Sequence, residues 1–185
     1  FGKAYSKHQK EVYDALAYAD SKGVLLVHAA GNDGVNLDEN PNFPTNEYAF
    51  QAKPLDMYIC IGASTRDKKN LAAVFSNYSS RQVDVFAPGF EIYNTIPQSD
   101  YKILQGTSMA APMVSGVAAL LKSYFPSLTM KEIKDIMLAS AKKYKGTMIP
   151  APGTGTSVDF GTLSATGGVI DVAAAVKMCQ AKVKK

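Results

Sequence analysis

The sequence predicts an α/β fold with a mainly parallel sheet and flanking helices. Three predominantly apolar runs, at residues 24–30, 57–63 and 83–89, have the character of strands that are buried on both faces of a sheet. Segments with apolar residues at helical spacing precede the first run and follow the third. Strands combined with helices in this way favour an open sheet, in which ligands bind beyond the carboxyl ends of the strands.

The predicted helices have recognisable starts and stops. Gly23 ends a first helix, and residues 31–46 and 142–168 are rich in turn-forming residues and are predicted as loops, the second with a short hairpin. A helix thin enough to cross the middle of a domain is predicted from about residue 107, where small residues predominate. Capping residues are predicted at Ser6 with Gln9, at Thr129 with Glu132, and at Asp171.

Composition excludes several functional classes. The net charge of +4 is dispersed, and the basic tail (Lys177, Lys182, Lys184, Lys185) is interpreted as a solvated helix end, so we expect no nucleic-acid partner. No apolar run reaches the about 20 residues that span a bilayer. Cys60 and Cys179 lack the spacing of a metal site and are predicted to be buried thiols. Because the chain opens on Phe1 without an initiator Met, we expect it to begin inside a longer product.

Ser108 lies in the stretch LQGTSMAAPMVSGVAALL, just ahead of the small-residue helix. One interpretation is an ordinary N-cap. The other is a nucleophile, because Gly106 allows close backbone approach and the positive end of a helix stabilises a developing oxyanion. The second glycine of a nucleophile elbow is replaced by Ala110, and no histidine follows Ser108, which argues against an α/β-hydrolase esterase.

Asn32 follows the first predicted strand within the sequence AAGNDG. An Asn amide at this edge of a parallel sheet can donate a hydrogen bond to an oxyanion without adding charge. The alternative is a loop Asn that bonds to its own turn.

The segments GTSMAAP and AAGNDG, with the run VFSNYSSRQVDVFAPG between them, resemble the subtilisin-like serine peptidases, or subtilases. The resemblance implies that residues 1–185 are the C-terminal part of a single catalytic domain whose N-terminal strands lie outside this chain. It implies an endopeptidase that works through an acyl-enzyme, with Ser108 as nucleophile and with Asn32 and the Ser108 N–H as oxyanion donors. Substrate-binding roles are implied for Ala29, Ala30, Gly31, Gly2 and Thr107.

The catalytic base is the part of the family pattern that this chain lacks. The Asp and His motifs of the family match nothing here and are expected upstream of Phe1, so the chain alone is expected to be inactive. His28 is interpreted as a core histidine with its hydrogen bonds satisfied, and His8 as a solvated one. A non-catalytic pseudoprotease or binding module with the same fold is the competing hypothesis.

The expected partners are a polypeptide substrate and the N-terminal part of the same domain, with self-association possible through the incomplete sheet. No cofactor is expected. Asp33, Asp38 and Glu39 suggest a calcium loop, but their spacing does not match an EF-hand. The family resemblance implies a secreted or cell-envelope protein of a bacterium.

Overall fold

The computed structural model describes residues 7–46, 48–51 and 53–184. The helices are α1 (Gln9–Ser21), α2 (Thr107–Tyr124), α3 (Met130–Ser140) and α4 (Val172–Val183). The strands are β1 (Leu26–Ala29), β2 (Tyr58–Ser64), β3 (Val85–Pro88), β4 (Ile92–Ile96), β5 (Asp100–Leu104), β6 (Lys142–Lys143), β7 (Met148–Pro150), β8 (Ser157–Asp159) and β9 (Gly168–Val169).

A five-stranded sheet with the order β1-β2-β3-β9-β6 lies at the centre of the fold. Neighbouring strands are parallel except for β6, which runs antiparallel to β9 at one edge. All of β2 is buried, as expected for a strand covered on both faces. The prediction of an α/β fold with a mainly parallel sheet and flanking helices is therefore confirmed.

Each face of the sheet is covered by its own apolar core. Helices α2, α3 and α4 contribute to the first core, where Val114, Leu121 and Ile133 are fully buried. Helix α1 packs against the second core through Tyr13 and Leu16, on the opposite face. Helices α1 and α2 therefore lie on opposite faces of the sheet that contains β1.

Helix α2 is only half covered by the described residues. One side packs on the sheet, where Ala110 and Ala118 allow a close approach. The exposed positions of its other side are Pro112, Met113, Ser115, Gly116, Ala119 and Leu120. Strand β1 likewise pairs only with β2 among the described strands. In this chain, the helix predicted to cross the middle of a domain thus has one open side.

Three local predictions differ from the structure or fall outside it. The first capping box includes Ser6, which lies outside the described residues, and α1 has His8 at its N-cap without a side-chain capping bond. The first strand is shorter than predicted because only residues 26–29 pair with β2. The hairpin of β4 and β5 was not assigned from the sequence, whereas the hairpin of β7 and β8 confirms the predicted one.

None of the described helices is long and apolar enough to cross a membrane.

The capping box at the start of α3 is confirmed in full. The Thr129 Oγ1 accepts a hydrogen bond from the Glu132 N–H at 3.2 Å, and the Glu132 carboxylate accepts one from the Thr129 N–H at 2.8 Å. The backbone N–H of Thr129, followed by its hydroxyl and Lys182, lowers the pKa of Glu132 to about 2. The box therefore satisfies two backbone donors that a helix start otherwise leaves open.

We predict that Thr129→Ala lowers the free energy of unfolding by about 1 kcal/mol, because one of these donors loses its acceptor. Urea denaturation of the chain measures the effect. Ser127→Ala, at an exposed residue of the preceding turn, is the control and should change stability by less than about 0.5 kcal/mol. Equal effects of the two variants would contradict a capping role.

Candidate active site

The loop after β1 and the start of α2 are joined by hydrogen bonds between Asn32 and Thr107. The backbone N–H and the hydroxyl of Thr107 both donate to Asn32 Oδ1, each at 2.9 Å. The Thr107 hydroxyl in turn accepts the Gly31 N–H at 3.1 Å. Since a backbone N–H can only donate, the atom that faces it must be the amide oxygen. The carboxamide of Asn32 is therefore fixed with its Nδ2 donor on the side away from Thr107.

Asn32 and Ser108 present donors to one shared space beside Gly106. A Cβ atom placed on Gly106 would lie 3.4 Å from Asn32 Nδ2 and 3.6 Å from the Ser108 backbone nitrogen. Gly106 has a φ of +150°, a conformation that favours glycine, and its lack of a side chain leaves this space open. The geometry therefore brings two hydrogen-bond donors to a spot that an oxygen atom can occupy.

Ser108 is the second residue of α2 and not its N-cap. Gly106 occupies the N-cap position, and no side chain caps the helix. Ser108 is exposed, while Thr107 beside it is buried. The first turn of α2 carries no acidic residue, so the positive end of the helix is not neutralised from within that turn. The N-cap interpretation of Ser108 is therefore wrong, and its hydroxyl lies on the open side of the helix start.

Asn77 shapes the loop that carries Asn32, and sequence analysis did not assign it a role. Its Nδ2 donates to the Ala30 carbonyl at 2.9 Å, and its Oδ1 accepts the N–H groups of Asp33 and Val35 at 3.0 and 3.1 Å. Its side chain is almost fully buried. A Cβ on Gly31, which has a φ of +103°, would overlap Asn77 Nδ2. The signal for Asn77 was its place within the run VFSNYSSRQVDVFAPG between the two motifs.

The residues expected to contact substrate have different environments. Ala29 ends β1 and packs, partly buried, against the first core. Ala30 is fully buried in the second core, and its carbonyl accepts the Asn42 Nδ2 at 2.9 Å. The side chain of Ala30 is thus not open to a ligand in the described residues, although the backbone next to it borders the site. Gly2 lies outside the described residues.

His28 is not positioned to act as a base for Ser108. Its ring lies 5.8 Å from the ring of Tyr58, which belongs to the second core on the face opposite α2. Burial lowers the pKa of His28 to about 4. The expectation that its hydrogen bonds are satisfied is wrong, because Nε2 is buried and has no partner among the described residues.

The acidic residues of the loop after Asn32 do not form a cluster in the described residues. Asp38 accepts hydrogen bonds from Ser79 Oγ at 3.0 Å and from Arg81 Nε at 3.1 Å. In the part of the chain that the structure describes, no group of three or more His, Cys, Asp or Glu side chains could hold a metal ion.

At the carboxyl edge of the parallel sheet, an exposed serine at a helix start lies beside an asparagine amide, an arrangement that can stabilise a developing oxyanion. The profile of the Subtilase family matches residues 1–161, and the chain belongs to this family. The resemblance noted from GTSMAAP and AAGNDG is thereby confirmed.

Curated and solved relatives agree with this assignment. Thermitase of Thermoactinomyces vulgaris is 41% identical over 133 residues, which are 72% of this chain and 42% of thermitase. A structure of proteases from Pseudoalteromonas arctica has a TM-score of 0.68 and 30% identity, covering 97% of this chain and 49% of that one. A structure described as subtilase cytotoxin SubAB has a TM-score of 0.77 at 24% identity, covering 98% of this chain and 57% of that one, which supports the fold alone. The chain spans less than half the length of the first curated relatives it matches.

The depressed pKa of His28 predicts a pH dependence of stability. The pKa of an unfolded histidine is about 6.5, so between about pH 6.5 and 4 the unfolded chain binds the proton and the folded chain does not. The stability associated with neutral His28 is full above pH 6.5 and is lost as the pH falls toward 4. After allowance for its partial exposure, we expect this loss to be about 1–2 kcal/mol relative to His28→Gln.

Unfolding titrations at several pH values measure this difference. Ser123→Ala, at an exposed serine of α2, changes no titrating group, so it is the control and should run parallel to the unmodified chain. Parallel curves for His28→Gln and the unmodified chain would mean that His28 titrates normally in the folded state.

Proposed function

We propose that the whole protein is a serine endopeptidase that cleaves exposed, extended polypeptide through an acyl-enzyme. In this proposal, the chain supplies the nucleophile and the oxyanion donors. The observation that carries it is the open space beside Gly106, which the Asn32 amide and the Ser108 N–H both border. Membership of the Subtilase family supports the same chemistry.

In the proposed reaction, Ser108 Oγ attacks the carbonyl carbon of the scissile peptide bond. The carbonyl oxygen then gains negative charge, which Asn32 Nδ2 and the Ser108 N–H stabilise together with the positive end of α2. Collapse of the tetrahedral intermediate releases the amine half of the substrate with a proton from the base, and water hydrolyses the remaining acyl-enzyme. Thr107 acts as a positioning residue, because it fixes the orientation of the Asn32 amide.

The base and its orienting carboxylate are proposed to come from sequence outside this chain. A serine hydroxyl is a weak nucleophile without an adjacent base. His28 faces the opposite side of the sheet, and His8 is exposed at the start of α1. We therefore propose that the chain alone is inactive and that no metal or cofactor takes part.

The N-terminal part of the same domain is the proposed partner of the open surfaces of this chain. The free edge of β1 and the exposed side of α2 are both suited to contact further strands and helices. Self-association through these surfaces is the alternative when that part is missing. For the substrate, we propose that the backbone at Ala29, Ala30 and Gly31, rather than the buried Ala30 side chain, borders the pocket for the residue that precedes the cut, and that Gly2 contributes to the same pocket. The bacterial relatives support a secreted or cell-envelope location.

A fluorophosphonate probe tests the proposal, because it labels only a serine activated by a base. We expect rapid labelling of the full-length protein at Ser108, mapped by mass spectrometry, and no rapid labelling of the 185-residue chain alone. Ser108→Ala should abolish labelling, whereas Ser123→Ala, at an exposed serine of the same helix, should not.

Two results would go against this proposal. Rapid labelling of the isolated chain would show that a base lies within it. A folded full-length protein that is neither labelled nor able to cleave an unfolded polypeptide would favour the non-catalytic binding module.

We also predict that Asn32→Asp lowers kcat of the full-length protein by at least about 10²–10³, the loss measured in a subtilisin when such an oxyanion donor is removed. The carboxylate can still accept both hydrogen bonds from Thr107, so the loop should keep its conformation. Steady-state kinetics on a chromogenic peptide measure the effect, with Asn40→Ala, at an exposed Asn of the same loop, as the control. A variant with unchanged kcat would exclude Asn32 from the oxyanion site.

A further inference from the structure

The side chain of Asn77 forms hydrogen bonds with backbone groups on both sides of Asn32. Before Asn32, the Ala30 carbonyl accepts a hydrogen bond from Asn77 Nδ2 at 2.9 Å. After Asn32, the N–H groups of Asp33 and Val35 donate to Asn77 Oδ1 at 3.0 and 3.1 Å. A single side chain therefore fixes the backbone at both ends of the short segment that carries the Asn32 amide.

These bonds use both functions of the Asn77 amide. Its Oδ1 faces two N–H groups, which can only donate, so its Nδ2 must be the atom that faces the Ala30 carbonyl. The backbone N–H of Asn77 also donates to the Gly31 carbonyl at 3.0 Å, and the amide lies directly against Gly31, where a Cβ would overlap Nδ2. The position thus requires a planar group with an acceptor and a donor.

Asn77 is in turn held by the central sheet. The preceding residue, Ser76, is fully buried, and its hydroxyl accepts the Ala63 N–H of β2 at 2.9 Å and donates to the Asn77 carbonyl at 2.9 Å. Every residue of β2 is buried. Because Asn77 is only 1% exposed, water does not compete for its hydrogen bonds. The place of Asn77 is therefore set by a covered strand and not by the surface loop that it holds.

Asn32 needs this support because it is an exposed residue of a loop. Its contact with Thr107 fixes the side-chain oxygen Oδ1. The position of Nδ2 depends in addition on where the backbone of Asn32 lies, which the bonds of Asn77 determine. A group that acts on a reacting atom has to be held within about 0.5 Å by its supporting residues. Thr107 and Asn77 provide this support from the side chain and from the backbone, respectively.

We propose that Asn77 is a positioning residue for the hydrolytic reaction, and that it acts through the Asn32 amide. The inference rests on the proposed function. Because Asn77 is buried, it does not itself contact a substrate. Without its side chain, residues 30–35 lose three hydrogen bonds, and Asn32 Nδ2 moves relative to the oxyanion that it stabilises in the transition state. The loss therefore falls on kcat.

The test is a double-mutant cycle on the kcat of full-length protein, with Asn77→Ala and Asn32→Asp made singly and together. Asn77→Ala alone should lower kcat about tenfold, because misplacing an oxyanion donor forfeits part of the 10²–10³ that it supplies. In the Asn32→Asp protein, no amide donor is left to misplace, so the same change should lower kcat by less than about twofold. Circular dichroism establishes that each variant is folded at the assay temperature.

Asn77→Asp is the conservative variant. Its carboxylate still accepts both N–H groups that follow Asn32, and the Ala30 carbonyl keeps a hydrogen bond from Asn42 Nδ2 at 2.9 Å. We expect a loss in kcat of about threefold, smaller than that of Asn77→Ala, and again no further loss in the Asn32→Asp protein. If Asn77→Ala does not fold, this variant decides the test.

Ile133→Val is the control for a general loss of stability. It removes a methylene group from the fully buried core contact of α3, a helix that carries no residue of the candidate site. It should leave kcat unchanged in both backgrounds.

Equal losses of kcat from the Asn77 variants with and without Asn32→Asp would overturn the inference, because Asn77 would then act by a route other than the amide. Unchanged kcat in the folded Asn77 variants would overturn it as well and would leave Asn77 with a purely structural role. An inactive unmodified protein would instead contradict the proposed function, and the inference would fall with it. The two failures are therefore distinguishable.

Discussion

The site depends on the hydrogen bonds that join Asn32 to Thr107 across two distant segments of the chain. Two donors of Thr107 meet one oxygen of Asn32, and the Thr107 hydroxyl also accepts the Gly31 N–H. Asn32 is exposed but Thr107 is buried, so breaking these bonds would leave the N–H and the hydroxyl of Thr107 without their acceptor away from water. The orientation of the Asn32 amide and the start of α2 are therefore fixed together.

In the proposed reaction, this coupling would put both donors in place before a substrate arrives. The buried Asn77 holds the loop after β1, and the Gly89 carbonyl accepts the Gly106 N–H just before α2. A Cβ on Gly89 would lie 2.7 Å from the Cβ of Ala63 and 2.8 Å from the Gly106 carbonyl oxygen, so the strand and the helix start approach at backbone distance. Donors that need no rearrangement stabilise charge in the transition state more than donors that must first be ordered.

The sequence predicted the strands and helices best where the pattern was local. The box of Thr129 and Glu132 and the cap at Asp171 depend on residues three apart, and both form as predicted. The β4–β5 hairpin was missed, because four of the five residues of β4 and all five of β5 are exposed or half-buried, so no alternation of buried and exposed residues marks these strands. The hydrogen bonding of His28 was predicted wrongly. Whether a buried strand side chain finds a hydrogen-bond partner depends on the element packed against it, and not on its neighbours in sequence.

The candidate site was predicted from two sequence motifs, because the chemistry of each residue taken alone does not identify it. A lone Ser at a helix start and a lone Asn after a strand each have a common structural explanation. Only the fold brings Asn32 Nδ2 and the Ser108 N–H to the same space, and the roles of Asn77 and Gly89 follow from contacts between segments far apart in sequence. These contacts depend on tertiary packing, which a single sequence does not display.

In the proposed protease, this chain supplies the neutral hydrogen-bond donors, and the base comes from another part of the protein. The two roles have different structural requirements. Neutral donors such as the Asn32 amide can be fixed by one part of a domain, because their orientation is set by local hydrogen bonds. A base must reach the Ser108 hydroxyl from outside the helix that presents it, and the open side of α2 begins beside that hydroxyl. An element that covers the open side of α2 would exclude water from the Ser108 hydroxyl and would also carry the base that accepts its proton. Activity would therefore require this chain and that element to assemble.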